Sequence, residues 1–534
     1  MSTGDPSLVL TTVAGRRRGR FAFAVWLAVL IAVVTWVLAA GIGSAPRDGR
    51  SATVPGAGAP QPDRASAAPS RSPSSRPSPS GPMELIAGPP PSGTAWLRAG
   101  NGARSLDLWS GESATIRTGE WRDRILALPG GGFMCVCHAS TAIDGGERVA
   151  VSLADMVGNL RSGETELVTV EGRREERARA DEETNPVATS ASLSPDGSLL
   201  VVGLSVRRPP SWERTLLVVH LPSREVVQRI ELDAVAADER IDAWAPRVQF
   251  SYDGLRSLVS LTATGPNQVF DERHFVAFIH GHFLGLDQVP GFGTKGATAD
   301  GRCADTMPEL VGRDTVFAIC HDANWTPLFL RSVELKTGRA RELDLGPVLN
   351  GIWPMKLVDG TTLFLWDPFS HRAARINISE AKLDAAAVIQ TPTAALEPLD
   401  QLARSLSAWI APPAMAKIML EPALALSSDG GRLYVVAMSG DGISEPGHAR
   451  TIHVLDAGSL ALRDTWTVEP DVASIGIAPN GRDIIVGLLG EAPELVAPDA
   501  SVMVLDADTG EPRARYHGLG SDWPMVIARS DLNQ

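Results

Sequence analysis

The sequence predicts an all-β protein, a ring of four-stranded sheets closed as a β-propeller, carried behind an N-terminal membrane helix. Three observations predict it. A hairpin of two apolar strands around a Pro-Asp-Gly turn stands at 192–203 (SLSPDGSLLVVG), and its relatives return at 248–261, 425–438 and 475–488. From residue 94 onward the chain alternates short apolar runs with turn residues, mostly without room for crossover helices. The repeat is also incomplete at both ends in complementary ways.

The chain divides into four stretches. Residues 1–20 form a short basic tail with Arg16, Arg17, Arg18 and Arg20 against Asp5. Residues 21–43 carry no charge and are rich in Val, Leu, Ile, Ala and Trp. As a helix they would rise roughly 34 Å, enough to cross a hydrocarbon core of about 30 Å. The run exceeds the usual signal-peptide core of roughly 7–15 residues, which favours an uncleaved anchor over cleavage near Ala39-Ala40. The arginines before it place the N-terminus in the cytoplasm and the rest outside. Residues 44–92 are built from Pro, Ser, Ala, Gly and Arg and are expected to be disordered, a tether reaching on the order of 150 Å. Residues 93–534 form the propeller domain.

The last complete repeat is the clearest. Strands at 474–478 and 483–489 flank Pro479-Asn480-Gly481, and strands at 501–505 and 512–516 flank the turn 506–510. Four antiparallel strands in about 45 residues is the size of one propeller blade. The same plan fits 123–170, 190–232, 247–290, 309–346, 355–391 and 423–468. Three strands near 95–118 lack a first strand, while Asp522-Trp523-Pro524-Met525-Val526-Ile527-Ala528 reads as a first strand with nothing after it. Trp-Pro-Met also opens a first strand at 353–355. Pairing the C-terminal strand with the N-terminal strands closes the ring at eight blades and removes free edges; seven is the alternative count. Two segments stand outside the repeat: the charge run 171–183, expected as a solvated loop, and 394–418, whose apolar spacing suits a capping helix.

Net charge is −13, with +3 on 1–20 and +2 on 44–92, so 93–534 holds the balance of −18. An acidic body repels phosphate backbones, so nucleic acid is not expected as a partner. Cysteines outside the membrane are in a compartment where disulfides persist. Cys303 and Cys320 flank a first strand and are the expected disulfide. Cys135 and Cys137 alternate on one strand and point the same way, leaving a strained bridge or two buried thiols open. Cys137-His138 and Cys320-His321 occupy equivalent repeat positions, which suits a structural role. His280-Gly281-His282, with His274 nearby, lacks a nameable third metal ligand. The loop 291–296 (GFGTKG) satisfies G-x-G-x-x-G without a surrounding βαβ unit. The turn 506–510 resembles half a calcium loop without its distal Glu. No catalytic, cofactor-binding or metal-binding residue is assigned.

The segments SLSPDGSLLVVG, SSDGGRLYVV, IHVLDAGSLAL and VMVLDADTGEPRARY resemble WD-repeat-like and YVTN-type bacterial β-propeller repeats. Leu455-Asp456 and Leu505-Asp506 stand where true WD repeats carry Trp-Asp. The resemblance implies a scaffold used for binding and transfers no catalytic residue. The expectation is a single-pass cell-membrane protein presenting a monomeric extracytoplasmic propeller. It would bind an envelope protein, peptide or glycan, without a cofactor. The alternative is a lactonase-like propeller hydrolase, which needs acidic, Asn or His residues converging from first-strand ends. Those positions read as Pro, Trp, Ser and aliphatic residues.

Overall fold

The computed structural model describes residues 83–527, apart from short internal stretches and the longer segments 174–185, 290–307, 390–422 and 490–500. The chain divides into the units 1–76 and 77–534, and every described residue belongs to the second. The apolar run 21–43, the segment 394–418, His280, His282, the loop 291–296 and Cys303 lie outside the described residues. Among the described residues no helix is long and apolar enough to cross a membrane.

The described strands form eight sheets. The chain enters through β1 (Met83–Leu85) and builds β2 (Thr94–Ala99), β3 (Gly102–Asp107) and β4 (Ser113–Ile116). The second sheet is β5 (Arg124–Ala127), β6 (Phe133–Ile143), β7 (Gly146–Val157) and β8 (Leu160–Arg173). The third is β9 (Val187–Leu193), β10 (Leu199–Arg208), β11 (Ser211–His220) and β12 (Glu225–Ala236). The fourth holds β13 (Asp242–Ala243) and β14 (Arg247–Phe250), both paired with β15 (Arg256–Thr264), then β16 (Phe270–Ile279) and β17 (Phe283–Gln288). The fifth is β18 (Glu309–Val311), β19 (Thr315–His321), β20 (Pro327–Glu334) and β21 (Arg339–Asp344). The sixth is β22 (Met355–Asp359), β23 (Thr362–Asp367), β24 (Arg372–Asn377) and β25 (Lys382–Val388). The seventh is β26 (Leu424–Leu426), β27 (Arg432–Ser439), β28 (His448–Asp456) and β29 (Leu462–Thr467). The eighth is β30 (Val472–Ile477), β31 (Asp483–Leu488), β32 (Ser501–Asp506) and β33 (Pro512–Tyr516). The last strand, β34 (Met525–Ile527), pairs antiparallel with β2, Trp96 facing Ile527 and Arg98 facing Met525. The C-terminal strand therefore completes the N-terminal sheet.

First strands are innermost. β5 lies against β9, β9 against β14, β14 against β18, β22 against β26, β26 against β30, and β30 against β34. Side chains stitch these inner strands across the seams. Ser190 and Ser192 of β9 donate to the carbonyls of Pro246 and Val248, and Ser205 donates to the Trp244 carbonyl at 2.8 Å. Ser474 accepts from the Val526 amide at 2.8 Å, and Gln249 Oε1 accepts from the Leu310 amide at 2.9 Å. The second and third strands bury both faces between neighbouring sheets, which explains apolar runs such as the fully buried DIIVGL of β31. The seam of the fifth and sixth sheets, for example, packs Phe317 and Leu330 with Leu363 and Leu365.

The repeated turn has one chemistry. Ser194 Oγ donates to Asp196 at 2.6 Å, Asp196 accepts from the Ser198 amide at 3.0 Å, and Gly197 takes φ 71°. Ser251–Asp253 and Ser427–Asp429 repeat the pair at 2.7 and 2.6 Å. The serine hydroxyl is the main influence holding each of these aspartates below the ordinary carboxylate range.

One expectation is corrected. The tract 44–92 does not remain strand-free to its end. Met83, Glu84 and Leu85 face Tyr516, Arg515 and Ala514, so β1 adds a fifth strand outside β33. An outer strand leaves a row of backbone donors and acceptors unpaired, and a short extended segment satisfies them despite its Pro/Ser-rich surroundings.

Candidate functional site at the channel mouth

In an antiparallel four-strand meander the first and third turns lie at one end and the second turn at the other. With first strands innermost in every sheet, the beginnings of all first strands gather at one mouth of the central channel. Arg124 begins β5 and Arg247 begins β14. Arg98 faces Met525, the first residue of β34, and so stands at the same mouth. All three arginines are exposed. Neither Arg98 nor Arg124 has an ion-pair partner among the described residues.

These charges feel one another. Protein surrounding the exposed Arg124 makes desolvation the largest influence pushing its guanidinium below the ordinary value, followed by the like charges of Arg98 and Arg247; Asp123 opposes them. Arg247 lies over the exposed ring of Trp244, 5.8 Å from Cζ to the ring centre. A guanidinium over an aromatic face is attracted to the ring's negative face. On the fifth and sixth sheets, Glu309 and Lys356 of the inner strands pair with each other. The mouth thus presents cations and an aromatic face, where the sequence had suggested Pro, Trp, Ser and aliphatic residues.

Beside Arg124 the chain turns inward. Asp123 is buried and accepts from the His138 amide at 2.7 Å and from Arg161 Nη2 at 2.6 Å; His138 Nδ1 lies 3.3 Å away. Cys135 and Cys137, on the opposite face of β6 from His138, are joined as a disulfide and fully buried. Among the described residues this is the one place where three metal-ligating groups converge. The ligand atoms of Asp123, Cys135 and Cys137 lie within 4.8 Å of one another. Cys320 is also disulfide-bonded; its expected partner Cys303 lies outside the described residues.

A second buried cluster sits in the seam of the sixth and seventh sheets. The Trp366 indole donates to the Val436 carbonyl at 2.7 Å. The His371 and His453 rings stand 5.7 Å apart, and His453 Nδ1 lies 3.1 Å from Thr465 Oγ1. Burial, and secondarily His371, hold His453 down at about 4. The 506–510 turn is a hairpin corner: Asp506 accepts from the Asp508 and Thr509 amides at 2.9 and 3.0 Å.

Eight sheets with innermost first strands, the Ser-x-Asp-Gly turns and the C-terminal closure decide the architecture. The fold is a WD-repeat-like β-propeller. No protein-family model matches the chain, and no curated protein matches it. Among solved structures it is similar to "Dihydro-heme d1 dehydrogenase NirN in complex with DHE", with 15% identity, a TM-score of 0.44, and coverage of 86% of this chain and 78% of that one. It is also similar to Saccharomyces cerevisiae Sqt1, with 13% identity, a TM-score of 0.38, and coverage of 74% and 86%. The RRP9 WD40 repeats follow at 11% identity and a TM-score of 0.29, over 69% of this propeller chain and 90% of that one.

The sequence reading missed Arg98, Arg124 and Arg247. They lie on three different sheets, and only the ring geometry brings them to one mouth. Their common signal is position within the repeat, since Arg124 and Arg247 each open a first strand.

Proposed function

We propose that the protein is a single-pass membrane protein with a cytoplasmic N-terminus, whose eight-bladed propeller stands outside the membrane and binds an envelope protein, peptide or glycan through an anionic group. The apolar run 21–43 behind Arg16, Arg17, Arg18 and Arg20 supports the anchor, and the Pro/Ser-rich tract supports the reach. The eight separate sheets of four or five strands support the blade number.

The observation that carries the binding reading is the arginine mouth. The body as a whole is acidic, yet Arg98, Arg124 and Arg247 share one rim with Trp244. At physiological salt a charge is felt over about 8 Å, so a ligand at the mouth meets the local arginines and little of the distant acids. Guanidiniums pair with carboxylate or phosphate in a forked geometry, and a neighbouring aromatic face adds apolar contact.

The test uses the full chain in detergent and a fluorescent oligoglutamate peptide, with oligolysine as control. Saturable binding of oligoglutamate, weakened at least tenfold by joint R98E/R124E/R247E and by raised salt, is expected. Equal binding by the charge-reversed chain, or none by either, overturns the reading.

A further inference from the structure

We propose that Cys135, Cys137 and Asp123 form a redox-gated zinc site in the second sheet. In the oxidised chain the two sulfurs bond each other, and zinc takes thiolate sulfur, not a disulfide. Reduction by a dithiol balances simply: two electrons and two protons pass to the protein, giving two thiols, and the donor becomes a disulfide. Zinc then displaces both thiol protons to solvent, and two thiolates and one carboxylate face one ion.

Residue types and placement fit. Zinc takes thiolate sulfur at about 2.3 Å and carboxylate oxygen at about 2.0–2.2 Å, and two tetrahedral sulfur ligands stand roughly 3.7 Å apart. Cys135 and Cys137 sit two apart on β6, so the strand alternation aims both to one side. The three ligand atoms are already within 4.8 Å, so a shift of the sulfurs away from each other opens the site without moving a strand. Asp123 is held in place by the His138 amide and by Arg161, both bonds short and directed. That is the outer-shell support ligating carboxylates depend on. Two thiolates and a carboxylate outweigh the ion by one negative charge, and Arg161, at the solvent edge, offsets it. Ile116, Ile125, Ala154 and Met156 surround the sulfurs and keep the site dry.

The experiment treats the folded full chain with a phosphine reductant, adds zinc chloride alone, removes excess metal by gel filtration and measures zinc per chain. Reduced wild type is expected to hold about one zinc, and the oxidised chain none. C135S/C137S should hold none, while C303S/C320S should keep its zinc. D123N should weaken affinity at least tenfold, and R161M by about 10–100-fold through loss of carboxylate support. Thermal midpoints give a second readout: zinc should raise that of the reduced wild type and of C303S/C320S, but not of C135S/C137S. Zinc that follows Cys303 and Cys320, zinc retained by C135S/C137S, or a reduced chain that neither keeps zinc nor gains thermal stability from it overturns the proposal.

Discussion

Tyr516 donates its phenolic hydrogen bond to the carbonyl of Leu108, 408 positions earlier in the chain. Tyr516 ends β33 in the eighth sheet and is fully buried. Leu108 follows β3 in the first. The bond therefore crosses the seam where the ring closes, and burial raises the phenol above its ordinary range. Tyr516→Phe keeps the ring's packing but leaves the Leu108 carbonyl without this donor. The expected loss is about 1–3 kcal/mol, read from urea unfolding. A loss below a few tenths would mean that water reaches that carbonyl.

Closure itself is tested by removing 522–534. β2 then loses its inner neighbour, and Val526, buried against β30, is gone. The whole cooperative melting transition should collapse, because β34 is the innermost strand at the seam of the first and eighth sheets. A shortened chain that melts like wild type would falsify the closure.

Gly510 takes φ 72° at the end of the 506–510 turn, and a β-carbon built there would stand 2.5 Å from the Trp466 indole. The Trp466 ring lies tilted against that of Tyr434, with 5.6 Å between ring centres, so it has little room to retreat. Gly510→Ala should cost about 2–4 kcal/mol, combining a left-handed residue with an overpacked contact. Substitution at Gly430, which has positive φ but open space, should cost the backbone part alone.

Stability should also depend on pH through His453. Its ordinary value of 6.5 falls to about 4 in the fold. Between those values the unfolded chain binds a proton that the folded chain refuses. Stability is therefore complete above 6.5, declines as pH falls toward 4 by about 1.4 kcal/mol per unit, and stops declining below that. Urea midpoints across pH 4–7 should show this slope, and His453→Gln should flatten it. An identical slope in both chains would assign it to other groups.

The membrane orientation has its own measurement. Reporter enzymes fused after residue 60 should be active only when they require the extracytoplasmic side. Activity of the cytoplasmic reporter would reverse the proposed orientation.

Much of the scaffold was legible because the repeat writes local chemistry into sequence. Ser194-Pro195-Asp196-Gly197 and Ser427-Ser428-Asp429-Gly430 announce their turns through a serine–aspartate bond and a glycine with positive φ. The terminal closure was legible because Trp-Pro-Met stands before both β22 and β34. β1 was not, since Met83-Glu84-Leu85 is too short to show alternation and owes its shape to the edge of β33. Arg98, Arg124 and Arg247 were not, since no local rule links residues on three sheets. The disulfide of Cys135 and Cys137 was left open beside two free thiols, because strand spacing fixes direction and not oxidation state.

The shared first sheet sets the order in which the protein can be made. Synthesis from the N-terminus delivers β2, β3 and β4 early, yet their inner neighbour β34 is the last described strand to emerge. Until translation is finished, the nascent ring has an open seam. Ring closure therefore waits for the end of the chain, and truncation late in the message strikes the same sheet as loss of β2.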